Sequence, residues 1–260
     1  MTIHALLPDL VWISISWLVI LPLALGWLNV GAQQPSPQQA ERLVYRGYAR
    51  DQRATWQQGA AQLRDWQQAH PDDPEPLYEL CLAEYGLIGF DQAQEADHDN
   101  LARIERVEQY LDRLDEMGHR PAAIQALRGG LLGMRITEQP LRAMTLGNQS
   151  RRLLERAVEV DPQDPAAWVE LGNLRYHAPM LFGGDTQQAI DCYQRAIALF
   201  ERQPDRRQHN WLYLHALAWV GRSHARLDHT DEARQAYKHA LAVEPDFRWI
   251  KQDLLPALGN

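Results

Sequence analysis

The sequence predicts an all-α fold, a solenoid of antiparallel helix pairs preceded by an apolar N-terminal segment. Three observations carry this. The stretch Asp164–Leu199 reads DPAAWVELGNLRYHAPMLFGGDTQQAIDCYQRAIAL, which is an apolar helix, a break of Pro and Gly-Gly-Asp, and a second helix with small and aromatic residues at helical spacing. The same order of small and bulky positions recurs on either side of it. The chain has 260 residues, 45% of them hydrophobic, enough to bury a core of ordinary size without a disulfide framework.

In chain order, the first element is the N-terminal segment, residues 1–32. From Leu10 to Trp27 it reads LVWISISWLVILPLALGW, with no charged residue. A bilayer span takes about 20 apolar residues and a signal-peptide core about 7–15, so the run is read as a membrane anchor or a cleaved signal. The small residues Val30-Gly31-Ala32 suit cleavage after Ala32, whereas the lack of Lys or Arg ahead of the run and the presence of Asp9 speak against it. Trp12, Trp17 and Trp27 suit interfacial anchoring or plain apolar bulk. Both readings place the folded part outside the cytoplasm: tethered to the inner membrane in the periplasm, or soluble there. No Cys lies near the end of the run, which excludes lipoprotein processing. Residues 33–36 are a polar, Pro-containing linker, and the folded domain is expected over 37–260.

Within it, residues 37–71 are read as a helix pair broken near Arg50-Asp51, or as one long helix, ended by Pro71-Asp72-Asp73-Pro74. A pair over 74–120 has Tyr78, Cys81-Leu82, Tyr85 and Gly89 on its first helix. Its second helix is the amphipathic run Leu101–Met117, where Ile104, Val107, Leu111 and Leu114 fall three or four apart, and the segment DQAQEADHDN between the two is expected to be an exposed loop. The pairs 121–162 and 164–204 are related by a shift of 39 residues. That shift matches Leu132 with Leu171, Gly133 with Gly172, Pro140 with Pro179, Gln149 with Gln188, Arg156 with Arg195, and Ala157 with Ala196. In both, 17 residues separate the glycine from the small residue of the second helix (Gly133 to Ser150, Gly172 to Ala189), against 12 from Gly221 to Ala233 in the pair 211–247. Pro245 ends that pair, and 248–258 is expected to cap the last apolar face.

The lengthened loop has its own logic. Pro179 stops a helix, Gly183 and Gly184 permit positive φ, and Asp185 caps the next helix in a capping box with Gln188. Met180, Leu181 and Phe182 are apolar in a loop and must pack inward or onto a partner, so the segment Met180–Asp185 is a candidate contact site.

Several function classes are disfavoured. The formal charge is −8 and Lys238 and Lys251 are the only lysines, so no basic patch exists for nucleic acid. HExxH, CxxC, P-loop, GxGxxG and G-x-S-x-G motifs are all absent. His215, His224, His229 and His239 never fall three or four residues apart, and the cluster Glu95, Asp97, His98, Asp99 lacks the glycine of a calcium loop. No metal, cofactor or catalytic residue is expected. Cys81 and Cys192, each within an apolar helical pattern, are read as buried free thiols.

Leu217, Val220-Gly221, Ala233, Tyr237, Ala240 and Pro245, with Trp168, Leu171-Gly172, Ala189, Tyr193 and Ala196 before them, resemble the order of the tetratricopeptide (TPR) repeat of bacterial TPR proteins. The resemblance runs from about Leu131 to Pro245 and more weakly from Pro37. PMLFGGD followed by AIDCYQRAIAL is also similar to part of the periplasmic TPR-like T-component of TRAP-type transporters. The TPR resemblance implies a concave groove lined by the first helix of each pair, here carrying Asn173, Tyr176, His215, Arg222 and Arg226 as partner-binding candidates. Trp211, Tyr213 and Trp219 are read as packing between repeats. The function expected is an exported scaffold that binds another envelope protein or a peptide segment. The second resemblance implies an alternative, an accessory subunit of a solute transporter that binds a partner protein or a small ligand.

Overall fold

The computed structural model describes residues 36–94 and 99–259. The run Leu10–Trp27 and the residues Glu95, Asp97 and His98 of the acidic cluster lie outside these, while Asp99 caps a helix through Ala102 N at 3.0 Å. The described residues are helical and hold no strand. The long helices fall in five consecutive pairs: α1 (Pro37–Ala49) with α2 (Arg53–Ala69), α3 (Pro74–Ala93) with α4 (Asn100–Glu116), α5 (Pro121–Glu138) with α6 (Ala143–Val160), α7 (Pro165–His177) with α8 (Thr186–Arg202), and, after the short α9 (Pro204–Arg207), α10 (Trp211–Arg226) with α11 (Thr230–Val243). A π-helical turn over Ile250–Leu254 and α12 (Leu255–Ala257) follow. Proline opens α1, α3, α5 and α7, where its missing N–H leaves no helical bond unmade. Side-chain caps from Ser36, Asp164, Asp185 and Asn210 satisfy further free amides.

One sequence expectation is corrected, and one pair of alternatives is decided. The segment DQAQEADHDN is not loop from its first residue: α3 continues to Ala93, and Asp91 is fully buried. Arg53 donates to it through Nε at 2.5 Å and Nη2 at 2.8 Å, and Arg103 at 2.6 Å, so a carboxylate on α3 ties α2 to α4. The stretch 37–69 is two helices, because the chain turns at Asp51 with φ 54°.

The glycine positions show how the pairs close. A Cβ on Gly172 would fall 2.7 Å from the Tyr193 ring on α8, and one on Gly221 would overlap the Tyr237 ring on α11. In the pair α5–α6, however, Gly133 faces open space, and it is Gly129, one turn earlier, whose Cβ would meet Leu154 at 2.6 Å. The 39-residue register therefore matches α6 to α8 but slips one helical turn on α5, which has 18 residues against 13 in α7. Pro140 and Pro179 stay equivalent: each leads a short 3-10 turn, Pro140–Arg142 and Met180–Phe182, between the helices of its pair.

The array closes on itself. Tyr48 at the end of α1 packs on Trp211 at the start of α10 (ring centroids 5.4 Å) and on Phe247 (5.5 Å), while Trp56 on α2 meets Trp211 at 5.3 Å. Arg50 and Asp246 pair at 2.7 Å beside them. Trp56, Trp211 and Phe247 are buried in this seam, which joins the first pair to the last.

Candidate partner-binding site

The five residues singled out on the first helices form one strip along the facing sides of α7 and α10, in two zones. The inner zone is a hydrogen-bonded chain. Tyr48 Oη lies 3.3 Å from His215 Nδ1, and His215 Nε2 lies 2.9 Å from Asn173 Oδ1, which also accepts from Tyr193 Oη at 2.8 Å. Asn173 Nδ2 donates to Glu170 Oε2 at 3.2 Å, and Tyr85 Oη donates to the same oxygen at 2.5 Å. Burial, followed by the nearby His177 and Arg222, lowers the His215 pKa to about 3, so the ring is neutral. With Nε2–H donating to Asn173, Nδ1 is free to accept from Tyr48, and every donor in the chain has an acceptor. Burial raises Glu170 to about 7, opposed by the bonds from Tyr85 and Asn173. Asn173 and His215, expected as groove-side clamps, thus spend their polar atoms inside the fold.

The outer zone is different. Tyr176, Trp219 and Trp249 are half-buried and His177 is exposed. Tyr176 meets Trp219 edge-on at 4.8 Å, His177 meets Trp219 at 4.6 Å, and Trp249 meets Trp219 at 5.9 Å. The Arg222 guanidinium lies 4.4 Å from the Trp219 centroid, 5.2 Å from Trp249 and 5.7 Å from Tyr176. Among the described residues it has no carboxylate partner. Arg226 is exposed, sits 4.7 Å over Tyr176 and donates to the Tyr176 carbonyl at 2.7 Å. Rings on one guanidinium face leave its N–H edge available to an anion. Trp211 and Tyr213 are buried packing, whereas Trp219 is part of this open cluster.

Sequence reading missed Glu170, His177 and Trp249. Glu170, Asn173 and His177 fall at i, i+3 and i+7, one face of α7, and that spacing was a usable signal. Trp249 comes from beyond α11, and no local pattern brings it to α10.

The candidate loop divides in two. Phe182 packs on α6, where a Cβ at Gly147 would lie 3.1 Å from its ring. Met180 and Leu181 are 87% and 75% exposed. Gly183 has φ 91°, and a Cβ on Gly184 would overlap the Ala178 carbonyl oxygen, so both glycines are required. Asp185 accepts from Gln188 N at 3.0 Å as foreseen, but its own amide donates to the Arg175 carbonyl at 2.7 Å. The Gln188 side chain therefore bonds the Asp185 carboxylate at 3.1 Å, and the reciprocal half of the capping box is not formed.

Among the described residues, no group of three or more His, Cys, Asp and Glu side chains could hold a metal ion, and no helix is long and apolar enough to cross a membrane. Cys81 and Cys192 are free and buried.

Comparison with known proteins agrees with this architecture. Residues 214–247, which cover α11 and most of α10, match the tetratricopeptide repeat. The HusA haemophore from Porphyromonas gingivalis has a similar fold, with a TM-score of 0.60 and 19% identity over 75% of this chain and 96% of that one. So does TTC0263, a thermophilic TPR protein of Thermus thermophilus, with a TM-score of 0.54 and 17% identity over 86% of this chain and 99% of that one. No curated protein sequence matches the chain significantly. Helix pairs, interlocked glycines and a repeat match at 214–247 together make this chain a TPR-like helical-repeat protein.

Proposed function

We propose that this protein is a non-catalytic scaffold of the cell envelope that captures a segment of a partner protein on the outer face of α7 and α10. The observation that carries the reading is Arg222: stacked on Trp219 and Trp249, half-exposed, and without a carboxylate among the described residues. A side-chain or C-terminal carboxylate of an extended segment fits its N–H edge, with Arg226 alongside and the rings of Tyr176 and Trp219 for an apolar neighbour. The uncharged run Leu10–Trp27 supports the envelope location, either as an anchor or as a signal removed after Ala32.

The test is crosslinking in intact cells followed by mass spectrometry, with the native chain and the double variant Arg222→Gln, Arg226→Gln. The expected outcome is loss of one captured protein in the variant at unchanged thermal stability. Equal capture by both chains would overturn the assignment of this face. Intact-mass measurement decides cleavage after Ala32.

A second reading, a small-ligand accessory subunit of a transporter, draws on one observation. A haemophore shares the fold, and Tyr176, His177 and Trp219 form an aromatic cluster beside the cations Arg222 and Arg226, suited to an apolar anionic ligand. Titrating the purified chain with haem tests it. A saturable Soret shift that is lost in Trp219→Ala supports this reading, and an unshifted spectrum removes it.

A further inference from the structure

The chain exposes large apolar side chains where its two lengthened loops come together. Leu141 is 101% exposed, Met144 61%, Met180 87% and Leu181 75%. The second loop lies on α6, the helix that the first loop leads into. Phe182 seats the second loop on Gly147, one turn from Met144, and Gly183 rests against Arg151 a further turn on. Leu141 lies in the 3-10 turn that leads directly into α6. Each apolar tip follows its proline by one or two residues, Pro140 before Leu141 and Pro179 before Met180 and Leu181. The corresponding turn between α10 and α11, Leu227 to His229, is short and has no such tip.

We propose that Leu141, Met144, Met180 and Leu181 are a membrane-surface contact, inserting into the headgroup and upper acyl region of a bilayer that contains anionic lipid. Shape argues first. Leu141, Met180 and Leu181 stand on the two loops and Met144 on the first turn of α6, all four largely exposed, so a deformable lipid surface covers them without a matching protein pocket. Charge argues second. At the base of the tips Arg151 (3.5 Å) and Arg175 (3.0 Å) share one carboxylate, Glu155. Arg142 bonds only the Gln139 side chain among the described residues, at 2.9 Å. Asp185 is engaged as a helix cap, and Glu138 at the end of α5 accepts from Gln92 and Asn100. The cations of this edge are arginines, suited to phosphate headgroups, and Arg142 has no carboxylate partner among the described residues.

Chain length argues third. Nine residues, Leu28–Ser36, join the uncharged run to α1, and fully extended they reach about 30 Å. A helix of the length of α5 spans about 27 Å, so the tether suffices to bring either edge of the helical unit to a bilayer.

The tether-length argument rests on the reading of Leu10–Trp27 as an uncleaved anchor, and the experiment separates the contact from the anchor. The full-length chain is reconstituted into phosphatidylcholine vesicles with and without phosphatidylglycerol. It carries an environment-sensitive fluorophore at Leu181→Cys or, as a control, at the exposed Glu159→Cys. The buried Cys81 and Cys192 do not compete for the label. The expected result is a blue shift and quenching by brominated lipid at position 181, stronger with phosphatidylglycerol, and neither at position 159. A water-like label at 181 on vesicle-bound chain overturns the contact while leaving the anchor standing. A shift at 181 that needs no vesicles and grows with protein concentration identifies a second copy as the occupant, and also overturns it. Flotation of the variant Leu141→Gln, Met144→Gln, Met180→Gln, Leu181→Gln reports on the anchor. Retained flotation with the wild-type shift at 181 supports both readings, and lost flotation places all vesicle binding on the loops and removes the anchor.

Discussion

Tyr85 on α3 and Glu170 on α7, 85 positions apart, share a buried hydrogen bond of 2.5 Å across the one residue of α5 that permits it. A Cβ on Gly130 would overlap the Tyr85 hydroxyl and lie 2.7 Å from Glu170 Oε2. Gly130→Ala is therefore expected to destabilise the fold by on the order of 2 kcal/mol, since the buried, hydrogen-bonded side chains of Tyr85 and Glu170 bound the site. Urea denaturation measures this. A midpoint equal to that of the native chain would mean the three helices part at little cost.

The same carboxyl sets a pH dependence. Burial raises Glu170 to about 7 from 4.5. Between those values the folded protein keeps a proton that the unfolded chain has released, so stability falls as pH rises through the window. Glu41, raised to about 7, and Glu79, raised to about 8, each by burial and then by neighbouring carboxylates, act in the same direction. Glu170→Gln should remove one share of the slope, on the order of 2 kcal/mol across the window, and leave the remainder. Urea midpoints at about pH 5 and about pH 8 supply the comparison.

Asn173 in the inner zone on α7 and Arg222 in the outer zone on α10 should respond oppositely. Asn173→Ala strands the Tyr193 hydroxyl and the His215 Nε2–H, each at about 1–3 kcal/mol, so the melting temperature drops. Arg222→Gln removes cation–π contacts worth about 1 kcal/mol at a half-exposed site and should act on partner capture instead. Calorimetry beside pull-down distinguishes them.

In the loop, Phe182→Ala should cost about 2 kcal/mol by emptying the space over Gly147. Met180→Ser and Leu181→Ser should stay within about 0.5 kcal/mol, as surface positions do. Thermal denaturation of the three variants checks the contrast.

Burial raises both thiols, Cys192 to about 12 and Cys81 well above its ordinary range. A disulfide-exchange reagent should therefore label neither cysteine in the native protein and both after denaturation.

The helix pairs were legible because proline starts on α1, α3, α5 and α7 and glycine–aromatic packing within α7–α8 and α10–α11 are local signals. Residues such as Gly172 and Tyr193 meet within one pair, and spacing alone brings them together. The slip at Gly133 was not legible. Adding one turn to α5 leaves a periodic pattern that aligns equally well to the eye, and only the approach of Leu154 to Gly129 reveals it. The five candidates on α7 and α10 fall on one strip, but their depths were not legible. Asn173 is engaged by Tyr193 of α8 and His215 of α10, and no pattern around position 173 contains that information. Asp91 was lost among polar neighbours for the same reason, since its partners Arg53 and Arg103 come from other helices.

The seam between Tyr48 and α10 also constrains how the protein is made. Tyr48 and His215 are 167 positions apart, so Tyr48 leaves the ribosome without the Trp211 and Phe247 rings that pack on it and waits for nearly the whole chain, whereas Trp56 is met earlier by Gly86 and Phe90 of α3. An open stack acquires its pairs one after another, each finished when its neighbour appears. Here the last pair synthesised completes the first, which couples the ends into a single cooperative transition and leaves an aromatic surface uncovered throughout translation.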